Sequence, residues 1–139
     1  EWSAAQLDFY ADNEKAFPVR HLGGTNYSRL GGASLTDANY LTDLIEAARL
    51  LFDYAGPQRR QHWFDHLFKP EVELLNMSMQ QIHNIGTWQR SAQAQVALLY
   101  GDAAIWDHVI NGKYGLREQL RRGVTSDYIW YEQSLSYNS

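Results

Sequence analysis

Three side chains in this sequence have complementary chemistry: the imidazole of His83, the carboxamide of Asn84 and the phenol of Tyr137, which lies 53 residues beyond Asn84. An amide donor that neutralises a carboxylate makes the C–H beside it more acidic. A phenol can then remove that proton, or protonate a departing oxygen. The set suits β-elimination next to a carboxylate. Each residue also has a plain structural role, Asn84 as a helix cap and Tyr137 as a packing residue. A phenol ionises near pH ~10, so a base at neutral pH needs cations beside it, and Arg90, Arg121 and Arg122 are the candidates. Tyr131 is a second phenol in the same segment. Glu132 either fixes a loop by hydrogen bonds or tunes Tyr137.

The elements that must position these groups read as helices. Ala4–Lys15 is a first helix, stopping before Pro18. The pairs Gly23-Gly24 and Gly31-Gly32 then bracket a loop that needs close backbone approach or positive φ. Ser34-Leu35-Thr36-Asp37 has capping-box form, and Leu41, Leu44, Ile45, Ala48, Leu51 and Phe52 follow at helical spacing. This predicts a helix over 36–54. Pro57 opens the next, 58–68, with Trp63, Leu67 and Phe68 inward. Pro70 opens 71–82, with Val72, Leu75, Met79 and Ile82 on one face.

That helix ends near His83 or Asn84. Gly86 then punctuates, and Thr87 caps a helix over 88–100 with Trp88, Ala92, Val96 and Leu99 inward, closed at Gly101. Asn84 therefore lies at a helix mouth, where backbone N–H groups favour an anion such as a substrate carboxylate. Asp102 caps 103–110, and a short helix spans 116–122. Residues 124–131 are β-branched and aromatic and read as irregular or extended. Successive helix hairpins without a fixed period predict an all-α fold of irregular toroidal kind.

Twelve Lys and Arg against 16 Asp and Glu give a formal charge of −4, so no global basic field gathers a polyanion and anion binding has to be local. The dense basic stretch Arg117-Glu118-Gln119-Leu120-Arg121-Arg122 is too narrow for a nucleic-acid partner. No cysteine is present, which removes disulfides and thiolate metal ligands. No apolar run approaches the ~18 residues of a membrane span, and no leader pattern opens the chain. The opening Glu1-Trp2-Ser3 and the stop two residues after Tyr137 read as cuts within a longer product.

His62 and His66, at i and i+4, share a helical face that zinc could use. Trp63 stands where a metalloprotease would carry Glu. The preferred reading is packing, with both imidazoles bonded to neighbouring carbonyls or acids and no metal.

From about Leu41 to Tyr137 the sequence resembles the α/α-toroid domain of the heparinase II/III-like polysaccharide lyases and the related alginate and oligoalginate lyases. The matching residues are Asn84-Ile85-Gly86-Thr87-Trp88, Gly123 with Asp127, and Glu132-x-Ser134-x-x-Tyr137. The resemblance implies that Asn84 neutralises the uronate carboxylate and that Tyr137 is the catalytic base, acid or both. Several relatives carry His after the Asn, where this chain has Ile85 with His83 before the Asn. The family toroid is also longer and is followed by a β-sandwich that supplies a further His or Tyr, so residues 1–139 correspond to a partial toroid. A periplasmic or secreted setting and companion material from the same or another chain are implied as well.

The expectation is a lyase acting on a uronate-containing polysaccharide or oligosaccharide, without cofactor or metal. His83, Asn84 and Tyr137 are its catalytic groups, and Trp88, Arg90, Trp130, Tyr131 and Glu132 contact substrate. The alternative is a non-catalytic helical carbohydrate-binding or scaffold domain, with Trp88, Trp130, Tyr131 and Tyr137 as a sugar platform or a core. A third reading is a metallo-hydrolase using His62 and His66.

Overall fold

The computed structural model describes residues 1–78 and 81–132. The all-α expectation holds, with 71% helix and one two-stranded ribbon among the described residues. In order come α1 (Trp2–Asn13), a 3-10 turn (Glu14–Ala16), β1 (Arg20–His21) paired antiparallel with β2 (Tyr27–Ser28), and α2 (Ser34–Leu50). Next are α3 (Phe52–Trp63), a π-helical turn (Phe64–Phe68), α4 (Lys69–Met77), α5 (Asn84–Tyr100), α6 (Ala103–Asn111) and α7 (Leu116–Gly123).

Helix α2 carries the middle of the core. Its Ala38, Leu41, Ile45 and Ala48 are buried at i, i+3, i+7 and i+10 against α5, whose Ala92 and Val96 are equally buried. It ends at Leu50, capped by Leu51, rather than running to 54. The break lets Phe52 turn its ring edge-on to Tyr100, 5.8 Å between centroids, and receive the Arg60 guanidinium 4.3 Å from its own ring centre. Gly56, at φ 71° and ψ 167°, kinks α3 before Pro57 restarts it.

Trp63, Leu67 and Phe68 are wholly buried, as their spacing predicts. Pro70 does not separate two helices, because the π turn at 64–68 carries the chain straight from α3 into α4. Helix α4 buries Val72 and Leu75 but stops at Met77 instead of 82. Ser78 explains the stop. Its hydroxyl accepts from Tyr27 N at 3.1 Å and donates to Tyr27 O at 2.9 Å, which draws the chain off the helix axis to the ribbon.

The capping box at Ser34 does not form. Asp37 instead faces back into the preceding loop, where it accepts from Ser28 Oγ at 3.0 Å, Arg29 N at 2.7 Å and Gly31 N at 2.5 Å. The glycine pairs divide their roles. Gly23 and Gly24 take φ of 99° and 56°, while at Gly31 a Cβ would meet Thr36 at 2.6 Å. The loop after β2 is thus clamped onto α2, and Arg29 is ion-paired with the buried Glu14.

Candidate functional site

The Asn84 segment is the first turn of α5, not a break before it. The helix starts four residues earlier than the predicted 88, so Gly86 and Thr87 are helical and Thr87 is not the cap. His83 is the N-cap, in extended backbone at φ −171° and ψ 173°. Its Nδ1 accepts from Ile85 N at 3.1 Å, and Asn84 Oδ1 accepts from the same N–H at 2.7 Å. With Nδ1 accepting, the neutral imidazole carries its proton on Nε2. Asn84 therefore takes part in capping through its oxygen. Its Nδ2 has no acceptor among the described residues.

The anion at the mouth of α5 is the protein's own. Glu132 Oε2 accepts from Asn84 N at 2.7 Å and from Trp130 Nε1 at 2.6 Å. One carboxylate at the positive end of a helix thus ties the aromatic segment to the start of α5 across 48 residues of sequence. Glu132 fixes this junction by hydrogen bonds, the structural one of the two roles read for it from sequence. Tyr131 adds a second tie, its phenol donating to Ile82 O. Burial, and then the neighbouring Glu132 charge, make the Tyr131 phenol harder to ionise than usual. A phenol so placed holds position and is not primed as a base.

The stretch 124–131, expected to be irregular or extended, is a tight reversal. Val124 bridges to Trp130, Thr125 N donates to Ile129 O at 2.9 Å, and Tyr128 turns the chain at φ 62°. Gly123 permits this, since a Cβ there would lie 2.1 Å from the Trp130 ring.

Beside the junction lies a hollow of about 320 Å³ lined by Gln81, Ile82, Tyr114, Arg122 and Tyr131. Arg122 is half-exposed and donates from Nη1 to Glu118 Oε1 at 2.6 Å. Tyr114, at φ 56°, donates its N–H to Glu118 Oε2 at 2.8 Å. The sequence reading names Arg122 but misses Tyr114 and Gln81. Only the turn signal of Gly112-Lys113-Tyr114-Gly115 marks Tyr114 beforehand.

Arg90 is enclosed, whereas Trp88 is exposed. Arg90 is 1% exposed, inside the fold. Its guanidinium donates to Asn76 Oδ1 at 3.0 Å, Gln93 Oε1 at 2.9 Å, Lys113 O at 2.8 Å and Tyr114 O at 3.4 Å. Burial lowers its pKa to about 10, which leaves it charged at neutral pH. Trp88, predicted inward, is 52% exposed on the first turns of α5. Tyr137 lies outside the described residues, as does Met79.

His62 and His66 do share one face, 4.8 Å between ring centres with the rings tilted by 46°, and His62 Nε2 bonds Asp12 Oδ1 at 2.8 Å. Among the described residues no group of three His, Cys, Asp or Glu is arranged to hold a metal. No described helix is long and apolar enough to cross a membrane.

No family model matches the chain, and no curated protein matches it.

Proposed function

We propose that this chain carries proton-transfer residues of a polysaccharide lyase that cleaves uronate-containing acidic polysaccharide by β-elimination, within an α/α toroid. The observation that supports it most is the Glu132 carboxylate, held at once by Asn84 N and Trp130 Nε1. That link joins the amide-bearing helix mouth to the segment that reaches Tyr137 five residues later. In this reading Asn84 Nδ2 donates to the uronate carboxylate as it takes on enolate character, and the His83 Nε2–H is a second donor. Tyr137 removes the C5 proton or delivers a proton to the departing O4. The C4–O4 bond breaks as the C4=C5 bond forms, so the step needs neither water nor a redox partner.

The test is turnover of alginate and of heparan-type polymer, followed by the ultraviolet absorbance of the conjugated double bond in the product. Tyr137→Phe should lower turnover by about two orders of magnitude with the helical fold intact. Asn84→Ala should also lose rate, and lose less on substrates whose carboxylates are esterified. Turnover of wild-type size in Tyr137→Phe would remove that residue from the mechanism. Binding of both polymers without any unsaturated product would favour the non-catalytic carbohydrate-binding reading, for which the exposed rings of Trp88, Tyr128 and Tyr131 speak.

A further inference from the structure

Positive charge in this acidic chain is concentrated on one short segment. Lys113, Arg117, Arg121 and Arg122 supply four of the 12 Lys and Arg within ten positions, and Glu118 is the only acid among them. Glu118 is already committed, holding Tyr114 N at 2.8 Å and Arg122 at 2.6 Å. Arg117 and Arg121 are exposed and have no ion-pair partner among the described residues.

These two arginines face a hollow of about 850 Å³ lined by Asn111, Gly112, Arg117, Glu118, Leu120 and Arg121. Arg122, one residue on, lines the hollow on the candidate-site side. Helix α7 is therefore the wall between two hollows, with guanidinium groups on both.

We infer that α7 is an accessory docking ridge for the acidic polysaccharide, Arg117 and Arg121 holding carboxylates of sugar units beyond the one at Asn84. The identity of the partner rests on the uronate reading proposed above; the ridge itself rests on charge and shape. The i, i+4 spacing sets the two side chains roughly 5–6 Å apart at Cβ, the order of one pyranose unit along an extended chain. Leu120, 66% exposed in the same hollow, offers an apolar contact for a sugar ring face. No aromatic side chain lines that hollow, so a single-stranded nucleic acid would find no stacking platform there.

The experiment is a titration of the full chain with alginate across a salt series. Wild type should bind more weakly as salt rises, and Arg117→Gln with Arg121→Gln should cut low-salt affinity roughly tenfold and reduce the salt slope by about two. Lys15→Gln with Arg20→Gln removes the same charge from another exposed region and should change neither. Equal losses in both double variants, or no loss in either, would overturn the inference. Should the glutamine pair fail to fold, Arg117→Lys with Arg121→Lys keeps the charge, and backbone amide shifts of wild type on adding alginate should cluster within 111–122. Shifts elsewhere alone would count against the ridge. Equal affinity for duplex DNA at matched salt would overturn the assigned partner class. Asn84→Ala should keep the salt slope, so failure of the lyase reading shows as absent product while failure of the ridge shows as an unchanged slope.

Discussion

Two regions of this fold bury charge in opposite ways. Between α4, α5 and the loop before α7, one cation, Arg90, is enclosed by neutral oxygens from Asn76, Gln93, Lys113 and Tyr114. Between the end of α1, the loop after β2, α2 and α4, three carboxylates, Glu14, Asp37 and Glu71, are buried around a single cation, Arg29. Asp37 is satisfied by three donors, whereas neither oxygen of Glu71 has a hydrogen-bond partner among the described residues. A guanidinium has five donors in a plane and can be satisfied by dipoles alone, so Arg90 stays charged. A carboxylate short of donors has another way out, which is to keep its proton. Burial, and then the charge of Asp37, raise Glu71 to about 8 against the opposing pull of Arg29.

The comparison breaks most readily at Arg90. Arg90→Ala leaves Gln93 Oε1 and Lys113 O without a donor among the described residues, while Asn76 Oδ1 and Tyr114 O keep those of Gln93 Nε2 and Gln119 Nε2; it also opens a cavity, and should cost about 3–5 kcal/mol in denaturant unfolding. Arg90→Lys keeps the charge but cannot reach four oxygens from one ammonium, and should lose more than half of that. Near-wild-type stability of the lysine variant would mean that charge, and not the planar fork, is what the site needs.

The acidic cluster makes a pH prediction with a definite sign. Glu71 has its ordinary value of 4.5 in the unfolded chain and about 8 in the fold, so the folded state holds the extra proton between those limits. The stabilisation is fully present below 4.5 and is lost as pH rises through about 8. Wild type should therefore weaken steadily between pH 4.5 and about 8, by the order of a few kcal/mol at most, and level off above that. Glu71→Gln should flatten that dependence and be the more stable chain at pH ~9. Urea midpoints of the two chains on either side of neutrality decide it, and parallel curves would place the titration elsewhere.

Both networks were hidden from sequence for the same physical reason. Arg90 carries the spacing of a surface residue on α5, and its enclosure comes from backbone carbonyls at 113–114 that no local pattern announces. Asp37 has the right offset from Ser34 for a capping box, but the three donors at Ser28, Arg29 and Gly31 compete for it more effectively than the helix end does. What was legible depended on neighbours in sequence. Leu41, Ile45 and Ala48 declare the buried face of α2, and Asp102 marks the cap of α6, where Oδ1 accepts from Ala104 N and Ile105 N. The same division runs through the candidate site. The Asn84 segment and the Glu132 segment both stand out in sequence, but the early start of α5 does not, because the group that secures its first N–H lies 48 positions away.

Glu132 offers a third arrangement, a partly exposed carboxylate with two N–H donors at a helix N-terminus, and it sharpens the comparison with the smallest effect. Glu132→Gln keeps an oxygen of similar reach for Asn84 N and Trp130 Nε1 but removes the charge. If dipoles suffice here as they do around Arg90, the loss should be about 0.5–1 kcal/mol, the size of a charge at a helix end, and should shrink in high salt. Glu132→Ala removes the acceptor as well and should cost about 1–2 kcal/mol, with Trp130 fluorescence reporting release of the aromatic segment before global unfolding. Were the glutamine and alanine variants to lose the same amount, charge alone would hold this junction. The 124–132 reversal would then be fastened to α5 by electrostatic attraction, and the shape of the acceptor would not matter.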